Sequence, residues 1–161
     1  VQLYSGGAIG RARHNWDGHE DRLKNHGREA ARVDQPLAAL LTDLRRTGLL
    51  DDTLVLFTSE FGRTPFTQSN SGVLGTRRDH NQYGFSVWMA GGGQRHGTTY
   101  GETDALGYTV AKDPVHVHDL QATILHLLGI DPFTFSYRYQ GLDQRLIGPE
   151  ETPKIIDGIL A

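Results

Sequence analysis

Residues 53–65 read TLVLFTSEFGRTP, and this stretch constrains the fold more than any other. Its first half is a nearly continuous apolar run. Such a run fits a strand buried on both faces, as in a parallel sheet. The run ends in a carboxylate, Glu60, and the chain turns at once through Gly62. Upstream lies HNWDGH at residues 14–19, and downstream RDHNQ at residues 78–82. Oxygen and imidazole donors grouped at strand ends suit a hard or borderline divalent cation.

The remaining pattern supports an α/β reading. Residues 1–4 read as a short strand already under way, and the first residue is Val1 rather than Met, which reads as a trimmed or processed chain. Residues 8–28 are polar and without periodicity, which predicts a loop. From Glu29 to Thr47, Val33, Leu37, Leu40, Leu41 and Leu44 recur at three and four, the spacing of one helix face. Pro36 lies inside that pattern and predicts a kink or a restart capped by Asp34. Residues 61–78 read as a long polar loop, 85–90 as a strand, and 98–109 as a hairpin or irregular excursion. A second helix is predicted over 118–128, stopped by Gly129, and the tail after Pro132 is loop-rich. The expectation is one α/β domain over 1–161, with a mainly parallel central sheet flanked by helices and site loops at the carboxyl ends of its strands.

Composition excludes several functions. The 161 residues can bury a core, and a net charge of −3 argues against general nucleic-acid binding, which needs clustered Lys and Arg. There is no cysteine, so disulfides and thiolate chemistry are excluded. No apolar run approaches the roughly 18–20 residues of a membrane span. The glycine turn at Gly91–Gly93 has no dinucleotide fingerprint or P-loop lysine, and no GxSxG elbow occurs.

Each chemical candidate has a plainer reading beside it. Asp17 and His19, separated by Gly18, could reach one ion, or belong to a surface turn. His14 and His26 are less constrained and read as solvent-facing or supporting groups. Glu60 at the end of a buried strand would be costly unless bound, so it is either a metal ligand or paired with Arg63, Arg77 or Arg78. Arg63 could hold an anionic group in its planar fork. His80 is a candidate ligand, and Asp79 could orient it or Arg78. His116 and His118 lie before the second helix, where a turn and cap with Asp119 is the preferred reading.

Taken in order, WDGH, DLRRTGLLDDTLVLFTSEFGRTP, RDH, AGGG, YGETD and HDLQATILHLLGID resemble a bacterial sulfatase-like domain family of unknown function, number 1501. That family is placed in the alkaline phosphatase and sulfatase superfamily. The resemblance runs from about Trp16 to Ile130, and the chain resembles the C-terminal part of the family's domain. It implies a metal-dependent hydrolase acting on phosphate or sulfate esters, with a divalent metal: zinc foremost, then calcium, magnesium or manganese. Asp17, His19 and His80 resemble the ligands of one metal site. Glu60 stands where an Asp ligand stands and would serve as ligand or general base, and Arg63 would bind the anion. Phe61 stands where a His ligand stands, and phenylalanine cannot bind a metal. No segment matches the superfamily's nucleophile. The alternative is therefore a non-catalytic module with a degenerate metal site that binds a sulfated glycan or a protein partner. A purely structural envelope domain is a third reading. The resemblance implies a small anionic ester or sulfated glycan as partner, in a periplasmic or cell-envelope setting; the oligomeric state is left open.

Overall fold

A computed structural model of the chain describes residues 1–6, 16, 22–70, 73–148 and 152–161. In chain order the elements are α1 (Arg22–Thr47), β1 (Val55–Phe57), β2 (Gly62–Asn70), β3 (Val73–Asn81), β4 (Trp88–Ala90), β5 (Glu102–Thr103), β6 (Val110–Lys112), α2 (Val117–Leu127), β7 (Ser136–Tyr139) and β8 (Leu142–Arg145). A 3₁₀ turn spans Asp157–Ile159.

The strands form four separate two-stranded antiparallel sheets, β1–β4, β2–β3, β5–β6 and β7–β8. This corrects the expected mainly parallel central sheet flanked by helices. A parallel pair needs a crossover, usually through a helix, whereas β1 and β4 are joined through the β2–β3 hairpin and return antiparallel. The apolar run is also less buried than its composition suggests. Only Val55–Phe57 is strand, and Leu56 points outward with 36% exposure while Val55 and Phe57 are half-buried. Residues 61–78 are not a loop: most of them form β2 and β3. Residues 1–4 are not a strand, and the strand expected over 85–90 is confined to Trp88–Ala90.

Helix α1 begins earlier than periodicity predicts. Its less exposed residues, Asn25, Glu29, Val33, Leu37, Leu41 and Leu44, continue the i, i+4 stripe upstream through two polar positions. Glu29 is fully buried and accepts two bonds from Nη1 of Arg32, at 2.8 and 3.0 Å. That pairing offsets the cost of burying its charge. Pro36 neither stops nor restarts the helix. It is exposed, off the stripe, and leaves the carbonyl of Arg32 without its usual i→i−4 donor.

The core sits under α2. Ala122, Leu125 and Ile147 are buried together, with Ile130 packed against them. His116 caps the helix: its imidazole accepts from the His118 N–H, and Asp119 accepts from the His116 N–H at 2.9 Å. At the other end Gly129 N–H donates to the His126 carbonyl and Ile130 N–H to the Leu125 carbonyl, both at 2.9 Å. These paired bonds satisfy the last carbonyls and place Ile130 over Leu125. The tail then runs beside α2. Lys154 N–H donates to Asp119 Oδ1 at 2.8 Å and Ile156 N–H to Thr123 Oγ1 at 3.0 Å. The i, i+2 spacing of an extended tail thus matches the i, i+4 spacing of a helix face. Further on, Ala161 N–H donates to the Gly93 carbonyl at 3.0 Å, tying the tail to the turn after β4.

Candidate functional site

The base of the β2–β3 hairpin brings two of the three sequence clusters together. The register pairs Gly62 with Asn81 and Arg63 with His80. Gly62 is required there, because a Cβ at this position would collide with the carbonyl oxygen of Gly84. Asn81, only 2% exposed, locks the far side: its Nδ2 donates to the Tyr108 carbonyl at 2.8 Å and its Oδ1 accepts from the Tyr83 N–H at 3.1 Å.

Directly paired residues of an antiparallel ladder share a face, and so do residues two apart on one strand. Arg63 and His80 are therefore on one face, with Arg78 beside His80 along β3. Arg63 Nη1 donates to the Arg78 carbonyl at 3.2 Å, which holds its guanidinium over the hairpin. Arg63 and Arg78 are half-buried and His80 is exposed. Phe61 lies against His80 with ring centroids 4.0 Å apart and planes 31° apart. The alternate face carries Thr64 and Asp79: Thr64 Oγ1 accepts from the Asp79 N–H at 3.2 Å and donates to the Phe66 carbonyl at 3.1 Å. Asp79 Oδ1 accepts from the His80 N–H at 2.8 Å. Asp79 thus orients the backbone under His80.

Glu60 sits in a bend three residues beyond β1 and is exposed. The burial penalty that made it a required ligand or ion-pair partner does not act on it. Of its candidate partners, Arg63 is directed to the Arg78 carbonyl, and the Arg77 side chain is outside the described residues. Asp17, His19 and His14 also lie outside the described residues. Trp16, next to that cluster, is described: its ring packs on His26 with centroids 5.9 Å apart, and His26 Nε2 is 2.9 Å from the Trp16 carbonyl oxygen. Among the described residues, no three His, Asp or Glu side chains gather in a way that could hold a metal ion.

Sequence reasoning missed the hairpin that unites Arg63 with Arg78 and His80, and it missed buried Glu29. It also missed Asp104. That carboxylate accepts from the backbone N–H of Tyr108 at 2.8 Å, of Leu106 at 3.1 Å and of Thr109 at 3.3 Å, and from the Thr109 hydroxyl at 3.0 Å. The Tyr108 bond foremost holds its pKa below the ordinary carboxylate value, against a smaller opposing desolvation. The Tyr108 loop it closes is the one that anchors Asn81.

Among the described residues the hairpin base is a polar strand pair that places Arg63, Arg78 and His80 on one face, beside the Phe61 ring. Over residues 1–160 the chain matches the protein family described as a protein of unknown function, DUF1501, and it belongs to that family. No curated protein and no solved structure matches it.

Proposed function

We propose that the base of the β2–β3 hairpin binds an anionic ester, a phosphate or sulfate monoester of a small molecule or glycan, as a non-catalytic recognition site. One observation carries this reading: the register that puts Arg63 opposite His80 also gathers Arg78 onto the same face. Two guanidinium forks match the oxygens of phosphate or sulfate, and His80 supplies a further donor. Phe61 shields one side of that imidazole and offers the ester's organic part an apolar surface.

The metal-dependent hydrolase reading would add Asp17, His19 and Glu60 around a divalent cation, with His80 as the shared ligand. The described residues do not fit a metal by themselves, since His80 packs on Phe61 and Asp79 is committed to a backbone N–H. The test is a thermal-shift and calorimetric titration with 4-nitrophenyl phosphate and 4-nitrophenyl sulfate. Binding raises the melting temperature by mass action, and Arg63→Ala abolishes the rise. A melting temperature indifferent to both esters overturns the reading. Turnover that disappears in Glu60→Ala, with zinc found by elemental analysis and lost in Asp17→Ala and His80→Ala, would replace it with the hydrolase.

A further inference from the structure

Residues 154–161 bind two parts of the fold that are far apart in sequence. At one end their backbone meets α2, where Lys154 N–H donates to Asp119 Oδ1 at 2.8 Å and Ile156 N–H to Thr123 Oγ1 at 3.0 Å. The Thr123 hydroxyl gives its own proton to the Asp119 carbonyl at 2.7 Å, so its oxygen serves Ile156 as an acceptor. Thr123 is fully buried and Ile156 is 6% exposed. At the other end the segment adds a short antiparallel rung to the turn after β4. Gln94 pairs with Leu160, flanked by Arg95 N–H donating to the Ile159 carbonyl at 2.7 Å and Ala161 N–H to the Gly93 carbonyl at 3.0 Å.

The two anchors are joined by the 3₁₀ turn. Ile159 N–H donates to the Ile156 carbonyl at 3.1 Å and Leu160 N–H to the Asp157 carbonyl at 3.2 Å, which fixes the spacing between them. Gly158 in this turn lies against Tyr100: a Cβ there would sit 2.5 Å from Cε2 and 2.7 Å from Cδ2 of that ring. Turn and rung therefore grip one connection, β4 to β5. Helix α2 closes its backbone ladder within itself and its caps, whereas the anchors described for 154–161 lie on other elements. Departure of the segment breaks those anchors and spares the helix.

We propose that residues 154–161 are a latch, a conformational device that opens and closes as one unit at a lower free energy than α2 and couples α2 to the β4–β5 connection. The turn is the reason they act together. Ile156 and Ile159 are bonded to each other across it, so losing the Ile156–Thr123 bond frees the turn and takes the Ile159 carbonyl away from Arg95. The latch does not rest on the anion-site reading.

Native-state hydrogen exchange in low denaturant tests it on the intact protein, with protection measured against intrinsic exchange rates. In the unaltered protein the amides of Arg95, Lys154, Ile156 and Ala161 are expected to share one opening free energy and one denaturant dependence. That free energy is expected to lie below the one for the Leu128 amide, which donates to the Ile124 carbonyl at the end of α2. Thr123→Val removes the acceptor of Ile156 and is expected to lower the protection of all four about tenfold. Gly158→Ala pushes against Tyr100 and is expected to lower the same four together. A loss at Lys154 and Ile156 in Thr123→Val with Arg95 and Ala161 unchanged overturns the latch. So does a Leu128 amide that opens at the same free energy as the four. Should Thr123→Val fail to fold, Gly158→Ala reads the coupling from the other end: Arg95 losing protection while Ile156 keeps its own overturns the proposal.

Discussion

At the scale of single residues, the hairpin base rests on contacts that admit few substitutes. Gly62 approaches the Gly84 carbonyl so closely that Gly62→Ala must move one strand. A loss of about 2 kcal/mol is expected, measured by urea unfolding, together with loss of any ester-dependent thermal shift. Asp104 makes a prediction about pH. Its folded pKa lies below the ordinary carboxylate value because backbone N–H groups, Tyr108 first, prefer the ionised form. Its contribution is therefore fully present above that ordinary value and is lost as pH falls through the depressed folded one. Protection of the Leu106, Tyr108 and Thr109 amides, measured against their intrinsic exchange rates, should hold at neutral pH and fall in that acid window. Asp104→Asn should leave these amides weakly protected at every pH. Residue types alone do not show this: Gly62 reads as a turn residue, and Asp104 is one of two acids in YGETD.

Among the elements, α2 is the one whose start, stop and partners are all accounted for. Leu120, Ile124, Leu127 and Leu128 predicted it from spacing, Gly129 predicted its end, and the cap reading of His116 and Asp119 matches the bonds observed. The tail's grip on the helix was not foreseeable, because Lys154 and Ile156 contribute backbone N–H groups that every residue possesses. Asp119→Ala removes the acceptor for both His116 and Lys154, and should cost about 1–2 kcal/mol, with increased exchange of the Lys154 amide as the specific readout. Thr123→Val keeps the shape but leaves the buried Ile156 N–H without its acceptor, a loss of about 1–3 kcal/mol by chemical denaturation. For α1 the period was right and the start was not. Asn25 and Glu29 continue the buried stripe as polar residues, so a hydrophobic count begins too late.

For the whole molecule, the buried apolar cluster among the described residues is small and lies under α2. Ile147 is fully buried against Ala122 and Leu125, so Ile147→Ala should destabilise by about 2–4 kcal/mol, read from the unfolding midpoint. The sequence by itself determined the period of both helices, the glycine stop of α2, the absence of cysteine chemistry and the residues from which any site must be drawn. Those follow from local spacing and side-chain type. The tertiary structure alone decided that β1 runs antiparallel to β4, that residues 62–70 pair with 73–81, and that Arg63, Arg78 and His80 share a face. Strand direction and register depend on which distant backbone supplies the hydrogen bonds, and an apolar run such as LVLF is compatible with a parallel or an antiparallel partner.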